Sequence, residues 1–170
     1  MDTVSLLRDL FREAHQTLEA TMADVTPEQA HWAPPGCAHP IAALYAHTVL
    51  GEDGMLNRLI RKGTPLYTSN WAGKTGLSEL PPERSAWSDW ARRLRVDLPT
   101  LLDYAQAVYA TTDAYLASLT PTDLDTEIEM FGQKRTLGSA LGGVLLAHVN
   151  SHTGEVSCLK GLQGARGYPF

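Results

Sequence analysis

Four long runs of the chain repeat apolar residues every three or four positions, and proline or glycine closes each of them. The first is Val4, Leu7, Phe11, Ala14, Leu18 and Met22. The second is Ile41, Leu44, Thr48, Gly51, Met55 and Leu59, and the third is Leu101, Tyr104, Ala105, Val108, Thr112, Tyr115 and Leu119. The fourth gathers Leu137, Leu141, Val144, Leu145, Leu159 and Leu162. That spacing puts one apolar stripe on each of four helices, and a stripe must be buried against another element. Four such segments in 170 residues predict an all-α fold, a four-helix bundle, as one domain spanning 1–170.

The boundaries follow from cap and breaker residues. The first helix is expected over roughly Thr3–Ala23. "VTPEQAHWAPPGCAHP" then breaks the period, and inside it "TPEQ" reads as a short turn with Thr26 as N-cap and Pro27 in first position. The second helix starts near Pro40 and stops at Gly63–Thr64–Pro65. Leu66 to Ser85 holds no period and is expected as a long, substrate-selecting loop, with Trp71 plugging the core. The third helix comes in two pieces, "SAWSDWARRL" and a longer one capped by Asp97 with Pro99 in its first turn. "TEIEMFGQKRT" alternates as strands do, and Phe131–Gly132 can turn a small hairpin before the fourth helix. That helix is expected over Thr136–Lys160, capped by Thr136.

Composition narrows the functional classes. A formal net charge of −5 and no clustered basic face argue against a nucleic-acid grip. Cys37 and Cys158 are too few for a disulfide framework and read as small buried hydrophobes. "MDTVSLLRDLFREAH" is acidic and interrupted, unlike a signal peptide, and no run approaches the roughly 18 apolar residues of a membrane span. The expectation is a cytoplasmic protein with no membrane or nucleic-acid partner.

The segment "HVNSHTGEV" puts chemistry on the fourth stripe. On a regular helix, His152 and Glu155 fall within about 40° of His148, amid the apolar residues. Buried imidazoles need partners, and two histidines at i and i+4 can point at one divalent cation. His47, about 60° from Leu44 on the flank of the second stripe, is the best-placed third ligand. Gly51 and Gly54 share that flank and would leave open volume beside an ion. His15, about 40° from Phe11, is a reserve ligand or a packed core histidine. His31 and His39 are expected at the surface or in caps. Glu155 is the candidate catalytic residue, with three readings open: an extra ligand, a hydrogen-bond partner for a ligating imidazole, or a general base. Glu52 and Asp53 are expected to point away from His47 and to be solvated or cap-like.

"ALYAHTVLGEDG" taken with "LAHVNSHTGEVSCLKGLQG" resembles the DinB-like superfamily, which includes metal-dependent hydrolases, and the likeness spans nearly the whole chain. The resemblance implies a four-helix bundle, often a homodimer, that binds a divalent metal through His47, His148 and His152. Nickel or zinc is the ion it implies first, with iron, manganese or copper as others. Some relatives use a low-molecular-weight thiol as cosubstrate. The functional expectation is therefore a metal-dependent hydrolase or thiol transferase acting on a small molecule. The alternative is a non-catalytic metal-binding or stress-response bundle whose metal is structural.

Overall fold

Asp2 accepts a hydrogen bond from the Ser5 backbone N–H at 2.9 Å and so opens the first helix, α1 (Thr3–Met22). The structure, a computed structural model, describes residues 2–82 and 86–170. Ser85, expected to open "SAWSDWARRL", lies outside the described residues. Thr26 and Gln29 close a reciprocal capping box on the short α2 (Pro27–His31), with Pro27 at its start. The next helix, α3 (Ile41–Asp53), runs on into a wider π-helical turn, Gly54–Ile60. A short α4 (Trp87–Arg93) precedes α5 (Leu98–Ala117), which Asp97 caps through the Thr100 N–H. Strands β1 (Glu127–Met130) and β2 (Gln133–Thr136) pair antiparallel, Met130 opposite Gln133. Thr136 caps α6 (Leu137–Ala140), which passes through a second π turn, Leu141–Leu146, into α7 (Ala147–Leu162).

The chain is mostly helical. α1 and α3 each pack against both α5 and α7, so the four long helices enclose one core. α1 and α5 contribute the sides their sequence dictates, with Phe11 and Leu18, and Leu101 and Val108, all buried. α3 differs from the others. Ile41 to Ala46, Val49 and Leu50 are all buried, so it is apolar on every side and lies enclosed. Glu52 and Asp53, expected in solvent or as caps, are carried inside with it at 1% and 0% exposure.

The two π turns change where side chains point. Leu137, Leu141, Leu145, Val149 and Thr153 are all buried although they step by four residues. On a regular α-helix those four steps would drift by about 160°. The wider π turn removes part of the drift. The stripe therefore continues through Val149, Thr153 and Val156, and Leu162 is left 65% exposed. The expectation that His148, His152 and Glu155 sit mid-stripe is thus corrected: the histidines are half-buried on its flank and Glu155 is exposed.

The hairpin turns on Phe131 and Gly132, both in the left-handed region (φ 55° and 73°), as a two-residue connection of this kind requires. The connection after α3 is held by Asp53, which accepts from the Leu66 and Tyr67 backbone N–H groups at 3.0 and 3.1 Å. Trp71 packs on Tyr104 with ring centres 5.6 Å apart, as a cover over the core. Cys37 and Cys158 are both exposed and unbonded, contrary to the buried placement expected for them. No helix among the described residues is long and apolar enough to cross a membrane.

Candidate metal centre

His47 projects from α3, and His148 and His152 project from successive turns of α7, which packs against α3. One nitrogen from each ring lies within 4.8 Å of the other two. The His47 and His148 Nε2 atoms are 3.1 Å apart. Two imidazoles bound to one zinc-sized cation at about 2.05 Å would hold their nitrogens roughly 2.9–3.3 Å apart, depending on the angle. The three histidines can therefore share one ion, and their donor set suits the divalent metals that imidazole prefers.

Protonation state favours the same use. Burial, reinforced by His152, holds the His47 pKa down at about 4, and burial with His152 and His47 holds His148 at about 3. Both rings are neutral near pH 7, which is the form that binds a cation. His152 donates from Nδ1 to Glu155 Oε2 at 2.7 Å, so its Nε2 is the nitrogen left for an ion. Glu155 thus stands against a candidate ligand, with its side chain 55% exposed. His148 Nδ1 is buried without a hydrogen-bond partner among the described residues, so Nε2 is that ring's one polar outlet.

Backbone space admits the rings. A Cβ on Gly51 would stand 2.8 Å from His148 Cε1, so glycine lets the ring approach the α3 backbone this closely. Beside the triad a cleft of about 570 Å³ opens, lined by His47 and His148 and by residues of both π turns, including Gly54, Met55, Gly143 and Val144. π turns recur at functional sites because they re-aim side chains. Phe131 at the hairpin tip and Arg58 also line it.

Several contributors were not singled out from sequence. Trp87 stands edge-on to His47 at 5.2 Å and to His39 at 4.3 Å, walling the triad from α4. His39, expected as a surface or cap residue, is half-buried there, and its Nδ1 finds no partner among the described residues. His31 closes its own short helix by donating to the Pro27 carbonyl at 2.8 Å, and also ties it to a distant segment by accepting from the Val96 N–H at 3.0 Å. Phe131 carried a sequence signal as a turn residue, but Arg58 and Trp87 carried none.

His15, the reserve ligand, belongs elsewhere. It donates to Glu52 Oε2 at 2.9 Å, and Thr112 donates to the other Glu52 oxygen at 2.5 Å. Its ring stacks on Tyr109 at 3.8 Å, and the Tyr109 hydroxyl donates to Glu19 at 2.6 Å. Glu52 therefore does point away from His47, but into a polar cluster rather than into water. The signal that could have placed it was the all-apolar character of α3.

Within this cluster Glu19 gives a pH prediction. Burial raises its pKa above the ordinary glutamate value, opposed by the Tyr109 and Tyr45 hydroxyls and by His15. An acid raised in the folded state keeps its proton at a pH where the unfolded chain has lost it. Stability therefore falls as pH rises from the unfolded value through the folded one. Glu19→Gln cannot ionise, so its stability relative to wild type should climb across weakly acidic pH and then level off. Urea unfolding between about pH 4 and about pH 8 measures this, and a pH-independent difference would contradict it.

A family profile described as the DinB superfamily matches residues 10–156. The chain belongs to the DinB superfamily. It is also similar to a conserved protein from Enterococcus faecalis known from a crystal structure, with TM-score 0.75 and 23% identity, over 95% of this chain and 97% of that one. That likeness bears on the fold. No curated protein matches the chain.

Proposed function

We propose that this chain is a metal-dependent enzyme acting on a small molecule, with a divalent cation held by His47, His148 and His152. We read its four long helices as the four-helix bundle that carries this centre. The observation that supports the reading is the convergence of three imidazoles, two of which, His47 and His148, line an open cleft rather than a sealed core. Closed sites serve structure, whereas three protein ligands beside open volume leave room for a reactant. The cation, when bound, supplies Lewis acidity and lowers the pKa of a coordinated water or thiol.

The chain's own residues supply the rest. Glu155 fixes the tautomer of His152 and holds its ring in place. Leu50, Met55, Leu59 and Val144 give the cleft apolar walls that exclude water and receive a small apolar body. Arg58 is the cationic group on that wall, suited to an anionic substituent. Hydrolysis and transfer of a low-molecular-weight thiol to an electrophile are the two reactions this arrangement serves. The ion is expected to be nickel or zinc.

The test begins with metal quantification of the purified protein, expected to give about one ion per chain. Turnover of small esters, and of electrophiles with added thiols such as mycothiol or bacillithiol, follows, before and after chelation. Turnover that disappears on chelation and returns with nickel or zinc supports the proposal. A full complement of metal with no turnover, and a sharp loss of melting temperature on chelation, would replace it with a structural metal.

A further inference from the structure

A second candidate site lies between α1 and α5, away from the histidine triad. Two clefts there share Glu19 and Gln106 as common lining. One, of about 370 Å³, includes Phe11, His15 and Tyr109. The other, of about 710 Å³, is walled mainly by apolar groups, among them Met22, Val25, Leu98 and Leu102. Leu102 is 39% exposed, so that wall reaches the surface.

Glu19 is the unusual group. Its carboxylate accepts from the Tyr45 hydroxyl at 2.9 and 3.0 Å and from the Tyr109 hydroxyl at 2.6 Å. No cation reaches it among the described residues. Arg8, Arg12, His15 and Asp113 line the smaller cleft, but its cationic groups are each committed elsewhere, Arg8 to Asp113, Arg12 to Asp9 and His15 to Glu52, so the ammonium is placed at the side of Glu19 that faces the larger cleft. A half-buried carboxylate whose hydrogen bonds come from phenols, beside an apolar cleft, has no countercharge in contact with it, His15 acting only at a distance. An ammonium group provides that charge and can leave an attached apolar chain in the larger cleft.

We propose that these clefts form a second ligand site, for a small organic ammonium ion carrying an apolar tail, with Glu19 as its anchor and Leu98 and Leu102 as its apolar wall. The site is independent of the metal centre.

n-Hexylammonium is the probe, titrated calorimetrically into the protein as purified near pH 7.5, with 1-hexanol and hexanoate as uncharged and anionic comparators. Saturable binding of the ammonium, at least about tenfold tighter than either comparator, is expected. Glu19→Gln keeps an acceptor for both phenols and should weaken binding by about tenfold or more. Leu102→Lys, at a partly exposed position, should weaken it similarly by setting a like charge at the mouth. His148→Ala should leave it unchanged, which separates this site from the proposed metal chemistry. Equal binding of hexanol and hexylammonium, no saturation up to about 10 mM, or unaltered binding by Leu102→Lys would overturn the proposal.

Discussion

His148→Ala protein is expected to be purified with less than about a tenth of the wild-type metal, because two imidazoles on separate helices hold a cation far less well than three. Gly51→Ala should give a graded version of the same result. The added Cβ would meet His148 Cε1 at 2.8 Å, the far end of a side chain that can swing aside. Stability should then change by less than about 1 kcal/mol, while metal affinity falls about 10–100-fold. The pair separates binding from folding: one variant removes a ligand, and the other only displaces it. Metal content and competition titration with a chromophoric chelator measure both effects. Wild-type metal content in His148→Ala would end the assignment of that residue. Wild-type affinity in Gly51→Ala would show that the ring's placement is not critical.

The largest loss of stability is expected from Asp53→Ala. Asp53 is fully buried at the end of α3 and accepts from four donors: Asn57 Nδ2 at 2.7 Å, the Tyr104 hydroxyl at 2.7 Å, and the Leu66 and Tyr67 N–H groups. Alanine would strand all four in a dry interior, and breaking a buried network of this kind costs about 3–5 kcal/mol. Asp53→Asn retains one acceptor oxygen and should lose less. Urea unfolding gives both values, and a loss below about 1 kcal/mol for the alanine variant would show that water replaces the carboxylate. The Leu66–Thr68 turn begins on this carboxylate, so the same variant should also loosen the connection that follows.

The helical elements were legible because local rules act on them directly. Asp97 and Thr136 cap where their side-chain chemistry says they should, and Phe131–Gly132 turns the hairpin. The three histidines were legible as a group because imidazoles at i and i+4, with a third on the flank of a neighbouring stripe, can share one cation. Their depth was not. The wheel assumed 3.6 residues per turn throughout, and the π turn at Leu141–Leu146 breaks that assumption one turn before His148. Glu52, Asp53 and Glu19 were misplaced or overlooked for another reason. Charged residues read as solvated unless their helix is seen to be surrounded, and that depends on tertiary packing. His15 kept its place on the α1 stripe but met Glu52 rather than the triad.

The π turn ahead of α7 also bears on how such a chain can diverge. One residue gained or lost within that turn would rotate the whole downstream segment by about a hundred degrees, with little change in the length of the rod. Its histidines would then swing toward a different neighbour without any of them being substituted. In this architecture the aim of the chemistry is set several positions upstream of the groups that perform it, so relatives can keep every imidazole and still differ in what those imidazoles face.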